Sequence, residues 1–148
     1  MRTLGPRESR QECDFCAIVD NVKPAIRIFE SESVLSFLPL APVTTGHTLV
    51  IPKVHVEDMW EIDEREMSNV MAASLLIAHA IRDSLAPDGL NVINSSGAAA
   101  SQTVPHLHVH LVPRWQGDRI GDIWPASPTW EESELDDMAT LIRAKING

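Results

Sequence analysis

The chain has 148 residues, 44% of them apolar and 22% charged, with a net charge of −9. That length suits one domain with a real core. The acidic balance argues against a broad DNA or RNA surface, which needs basic residues, but leaves room for one small anion in a local pocket. No run approaches the ~18 apolar residues of a membrane span, and the polar start MRTLGPRESRQE lacks the apolar segment of a secretory signal, so a cytoplasmic location is expected.

Residues 1–12 read as a loose polar arm running into CDFC, which holds both cysteines, Cys13 and Cys16. Two cysteines do not make a disulfide scaffold, and in a cytosolic chain the C-x-x-C spacing points to metal or redox chemistry. The redox form expects a strand–motif–helix setting that is missing here. Half of a zinc site fits, but two ligands do not complete one. AIRIFE (25–30) and VLSFL (34–38) predict strands joined by a turn at SES. PLAPVTTG (39–46) must be loop, and HTLVIP (47–52) reads as a third strand stopped by its proline.

A long helix follows. Asp63 is placed to cap it, with Glu66 three residues on in a capping-box pattern. Met67, Val70, Met71, Leu75, Ile77, Ala78, Ile81 and Leu85 then recur at three- and four-residue steps. Pro87 ends it, because proline disfavours helix in the residue before it. GLNVINS (89–95) is a fourth strand, SGAAASQTV a small-residue loop, and HLHVHLVP (106–113) a fifth strand. EESELDDMATLIRAKI forms a final helix with acids early and Arg143 and Lys145 late, as the helix dipole favours. Strands that do not alternate regularly with helices indicate an α+β fold: a five-stranded, mainly antiparallel sheet with one long helix and a C-terminal helix. Residues 1–148 then form a single domain, with 126–148 as an extension.

Half of the six histidines stand at alternate positions of one strand: His106, His108 and His110. Side chains alternate faces along a strand, so the three imidazoles share one side, and Leu107, Val109 and Leu111 the other. The residues allow a histidine-rich polar face, a zinc site, since imidazole suits that metal, or nucleophilic catalysis with one imidazole attacking phosphorus.

The stretch HLHVHLV resembles the H-φ-H-φ-H-φ-φ signature of the histidine triad (HIT) family of nucleotide hydrolases and transferases. GHTLVIPKVH (46–55), GLNVINSSG and SQTVPHLHVHLVPR resemble that family in the same order, and CDFCAIVDN resembles its zinc-bearing bacterial branch. Together they cover roughly residues 13–125. The resemblance implies a HIT-like fold and a nucleotide substrate. It makes His108 the nucleophile at an α-phosphorus, its other ring nitrogen held by the carbonyl of His110, whose ring would contact phosphate. His47 would be a fourth histidine beside the phosphate, and Thr103 and Gln102 would reach the phosphate and the leaving atom. Asn94 would line the phosphate site, and Phe15, Ile18 and Leu40 would sandwich the base.

Relatives carry Asp or Asn eight positions before His47, holding the ribose hydroxyls. This chain has Pro39 there, without a side-chain donor or acceptor. The resemblance also completes the zinc set with His55 and His106, giving Cys13, Cys16, His55 and His106 as a closed structural site; zinc is not required for the chemistry itself. Lys53 reads as a solvated strand-end charge and Arg114 as a candidate for polyphosphate or a partner subunit. Trp124 resembles a C-terminal Trp-Pro that crosses to the other subunit, whereas Trp60, Trp115 and Trp130 read as packing residues. A homodimer is implied. The activities expected are cleavage of nucleoside phosphoramidates or related conjugates through a nucleotidyl-histidine, or, as alternatives, hydrolysis of dinucleoside polyphosphates (Ap3A/Ap4A-type) or nucleotide binding without catalysis.

Overall fold

A computed structural model describes residues 10–146 and 148 of the chain; most of the polar arm expected over 1–12 lies outside them. Five strands, β1 (Arg27–Glu30), β2 (Val34–Phe37), β3 (Thr48–Pro52), β4 (Gly89–Asn94) and β5 (Val109–Arg114), form one sheet in the order β1-β2-β3-β5-β4. Every pairing is antiparallel, as the sequence pattern indicates. The helices are α1 (Asp14–Val19), α2 (Glu64–Leu85) and α3 (Glu132–Ile146), with a 3-10 turn at Ala98–Ala100. Among the described residues no helix is long and apolar enough to cross a membrane.

The two faces of the sheet are covered differently, and the alternation of the strands decides which residue goes where. On one face Val70, Ala73, Ile77 and Ile81 of α2 pack on Val34, Val50, Val109 and Leu111. On the other, Cys13, Phe15 and Cys16 of the N-terminal segment pack on Leu35, Phe37, Leu49 and Ile51. Cross-strand partners share a face: Val50 pairs with Val109 under α2, and Leu49 pairs with His110 on the α1 side. A one-residue slip would bury His110 under α2 and expose Leu111. Register therefore holds His110 on the face that carries the cysteines.

Local chemistry sets the element ends. Asp63 Oδ1 accepts the Glu66 N–H at 2.8 Å, so half of the capping box forms, while Glu66 Oε2 is buried with no partner among the described residues. Helix α2 ends at Ala86, in the left-handed region at φ 49°, and Pro87 follows. Gly46 (φ +82°) brings the loop before β3 so close to the end of α2 that a Cβ there would meet Leu85 Cδ1 at 2.5 Å. Thr44 Oγ1 donates to Pro113 O at 3.0 Å, fixing the same loop to β5 just before His47.

Two elements differ from expectation. Helix α1 has no long apolar period to reveal it; its N-cap is Cys13, whose sulfur accepts the Cys16 N–H at 3.4 Å. Strand β5 begins at Val109, so His106 and His108 lie before it, His106 at a bend, and Leu107 N donates to Val56 O at 2.7 Å. The chain divides into two compact units, one ending at Asp118 and one spanning Arg119–Gly148. The division thus precedes the extension expected from residue 126. In the second unit, α3 carries Glu132 and Glu134 in its first turn and Arg143 and Lys145 in its last.

Candidate active site and metal centre

The three histidines of the triad are not equivalent. His106 has no exposed surface, His108 is 6% exposed, and His110 is half-buried. Each ring has a different fixed partner, and the partner dictates which nitrogen carries the proton. His106 Nε2 lies 2.8 Å from Pro52 O; a carbonyl only accepts, so Nε2 is protonated and Nδ1 keeps its lone pair. His108 Nδ1 donates to His106 O at 2.7 Å, which leaves the Nε2 lone pair free. The carbonyl expected from His110 is thus supplied by His106. The ring of His108 folds back two residues along the segment before β5, whereas His110 has its backbone in the β5 ladder.

His110 takes the opposite tautomer. Val43 N donates to His47 Nδ1 at 3.1 Å, so His47 carries its proton on Nε2 and gives it to His110 Nδ1 at 2.9 Å. His110 therefore presents an N–H at Nε2. The rings of His108 and His110 have centroids 4.9 Å apart: a lone pair and a hydrogen-bond donor stand side by side. Burial holds His108 and His47 below the ordinary histidine value. His110 is pushed down to about 4 by burial, with His108 and His47 adding in the same direction. All three are neutral at neutral pH. A neutral imidazole held through one nitrogen is a nucleophile at the other.

The remaining expected residues divide. Phe15 is buried and meets the His108 ring edge-on at 5.3 Å, as a core residue against that ring. Ile18 packs on the same cluster, and Leu40 is fully exposed. Asn94 Nδ2 donates to His108 O at 3.0 Å, so it holds the His108 backbone. Gln102 is wholly engaged with backbone: its Oε1 accepts Gly97 N–H at 2.7 Å, and its Nε2 donates to Glu57 O at 2.7 Å and Val104 O at 3.0 Å. Thr103 next to it is exposed. Lys53 pairs with Glu30 at 2.9 Å instead of being simply solvated. Arg114 binds Asp118 at 2.7 and 2.9 Å and Asn91 at 2.8 Å. Trp60 and Trp130, expected to pack, are 80% and 51% exposed; Trp60 sits on a tight turn, its N–H taken by Asp58 Oδ1 at 3.1 Å. Trp124 is also exposed. The partners that fix the tautomers, Pro52 O, His106 O and Val43 N, are backbone groups, which no side-chain pattern announces.

Beside the triad, Cys13, Cys16, His55 and His106 bring their four ligand atoms within 4.8 Å of one another. Cys13 Sγ and His106 Nδ1 are 3.4 Å apart, Cys16 Sγ and His55 Nδ1 3.3 Å, and Cys16 Sγ and His106 Nδ1 3.5 Å. Bond lengths of about 2.3 Å to sulfur and 2.0–2.1 Å to nitrogen at tetrahedral angles place S and N about 3.5 Å apart. The set therefore has the size and chemistry of a closed four-ligand zinc site. Burial, reinforced by Cys13, pushes the Cys16 thiol up to about 12, so a metal entering here must displace its proton.

An antiparallel sheet carrying a triad of unequal histidines beside a Cys2His2 cluster is the architecture of a nucleotide-acting histidine triad protein. The HIT domain family model matches residues 20–117, and the chain belongs to that family, whose members are typically nucleotide hydrolases and transferases. It is 40% identical to the SMU.412c protein of Streptococcus mutans, whose crystal structure superposes with a TM-score of 0.86 over 91% of this chain and 85% of that one. A zinc-bound histidine triad family protein of Mycobacterium smegmatis is 40% identical, with a TM-score of 0.72 over 94% of this chain and 99% of that one. The adenosine 5′-monophosphoramidase of Schizosaccharomyces pombe is 33% identical over 90% of this chain and 98% of its own length.

Proposed function

We propose that this protein cleaves nucleoside phosphoramidates or related nucleotide conjugates at the α-phosphate by covalent catalysis. The Nε2 lone pair of His108 attacks phosphorus, the N–P bond forms, and the bond to the leaving group breaks with its electron pair. The leaving nitrogen or oxygen takes its proton from solvent, while the Nε2–H of neutral His110 hydrogen-bonds the phosphate. Positive charge arising on the His108 ring is carried by its Nδ1–H bond to His106 O. Water then attacks phosphorus and frees His108. The observation that carries this reading is the pairing of opposite tautomers, a lone pair at His108 beside a donor at His110. The yeast phosphoramidase relative supports the substrate class, and the ion-paired state of Arg114 argues against a polyphosphate contact there. With Pro39 lacking a ribose partner, ribo- and deoxyribonucleotides should be handled alike.

Zinc would be held by Cys13, Cys16, His55 and His106. A four-ligand set has no open position for substrate, so bound zinc supplies a cross-link between the N-terminal segment and the triad. A homodimer is supported by two unpartnered surfaces: β4 is an edge strand with Val92 exposed, and α2 exposes Met71, Leu75 and Leu76. Light scattering of the purified protein reads this directly.

The deciding experiment is turnover of adenosine 5′-phosphoramidate by wild type and His108→Ala, with 31P NMR of the wild-type enzyme quenched at high pH during turnover. Loss of turnover in the variant and a phosphoramidate signal on the wild-type protein are expected. Full activity in the variant rules out His108 as nucleophile.

A further inference from the structure

Arg10 stands three residues before Cys13, on the outer side of the metal-ligand cluster. Its guanidinium meets three acceptors. Nη1 donates to Lys53 O at 3.2 Å and lies 3.8 Å from Cys16 Sγ; Nη2 pairs with Asp20 Oδ1 at 2.6 Å. Cys16 and Asp20 belong to the α1 segment, while Lys53 begins the turn that leads to His55. One planar fork thus joins two of the three stretches of chain that supply ligands.

A surface ion pair alone does not account for this arrangement. The Arg10 and Asp20 side chains are 35% and 49% exposed, and such pairs contribute little. The sulfur contact is of another kind. Cys16 has no exposed surface, so the thiolate it becomes on binding a metal has no water to stabilise it. Cys13 Sγ has its own donor in the Cys16 N–H at 3.4 Å; for Cys16 Sγ the corresponding donor is Arg10. A lysine carries the same charge but not the fork needed to reach all three acceptors.

We propose that Arg10 is an outer-sphere residue of the metal centre, taking the place of water at the Cys16 thiolate and setting the spacing between the α1 and His55 segments. This rests on the reading of the cluster as a zinc site. Metal affinity, rather than the chemistry at His108, is then the property Arg10 controls.

The test is zinc affinity of the full chain, measured by competition with a chromogenic chelator, for wild type, Arg10→Ala, Arg10→Lys and Asp20→Asn, with circular dichroism confirming the fold of each. Arg10→Ala should bind zinc roughly ten- to a hundredfold more weakly, the usual effect of removing an outer-shell partner. Arg10→Lys should fall between it and wild type, and Asp20→Asn should lose much less. In cobalt(II)-loaded samples, the sulfur-to-cobalt charge-transfer band should move in Arg10→Ala, because a thiolate without its N–H donor gives up electron density more readily. An unchanged affinity and band in Arg10→Ala, or a loss in Asp20→Asn as large, overturns the assignment. A wild-type protein that binds neither metal overturns the zinc reading itself.

Discussion

His47 offers the sharpest test of the tautomer argument, because it need not touch substrate to matter. Its Nε2–H is the donor that holds His110 Nδ1 at 2.9 Å and so keeps the proton of His110 on the nitrogen facing phosphate. In His47→Phe an apolar ring remains, but His110 Nδ1 loses its partner. The Val43 N–H is left open as well; Val43 is 59% exposed, so water replaces that bond at little loss. A partly buried acceptor left unpaired costs about 1–3 kcal/mol. His110 can relieve this by moving its proton to Nδ1, but then it turns a lone pair towards the phosphate. At about 1.4 kcal/mol per tenfold in rate, kcat/KM should fall roughly 5- to 150-fold. His47→Gln should recover part of the loss, since its amide N–H can stand near the position of the ring Nε2. The assay is steady-state hydrolysis of a fluorogenic nucleoside 5′-phosphoramidate with circular dichroism as the control for folding. Wild-type kcat/KM in His47→Phe, or a Gln variant no better than Phe, would refute the relay.

Three further outcomes are expected. His110 titrates near 4 when folded but near 6.5 in an unfolded chain. The unfolded state therefore takes up the proton first as pH falls from about 6.5 to about 4, and stability is lost across that window; above it neither state is protonated and the group contributes nothing. His47 acts in the same direction. Urea midpoints should drop on acidification, less steeply in His110→Gln, and equal slopes would contradict the shift. Ser36 Oγ is buried with no partner among the described residues, so Ser36→Ala should raise stability by about 1 kcal/mol in urea unfolding; a clear loss would point to an acceptor bound in solution. Chelator treatment should lower both the melting temperature and activity, because His106 is at once a cluster ligand and the holder of His108 Nδ1. Zinc should restore both, and loss of activity at an unchanged melting temperature would favour a catalytic metal instead.

The fold was legible because its signals are local. The strand-like runs VLSFL and HTLVIP, the spacing of Val70, Ile77 and Ile81, and the stop at Pro87 each act over a few residues, and each corresponds to an element or element end of the structure. Helix α1 escaped notice because six residues carry no period and its cap is a cysteine, a residue with no strong capping preference. Leu40 reads as apolar lining, yet it lies on a loop that nothing among the described residues covers.

At the site, sequence determined the inventory: three imidazoles at alternate positions, two cysteines at metal spacing, and His47 and His55 on either side of LVIPK. Strand periodicity pointed to a shared face for the triad, although only His110 lies within β5. Tertiary structure decided what each histidine does. The β3–β5 register placed His110 within reach of His47, and the bend before β5 set the carbonyl of His106 against His108 Nδ1. Packing of α1 delivered the cysteines to His106 Nδ1. Those roles depend on backbone carbonyls and amides brought from distant segments. A backbone group is the same at every residue, so a sequence cannot mark which one will meet a given ring; only the folded chain selects it.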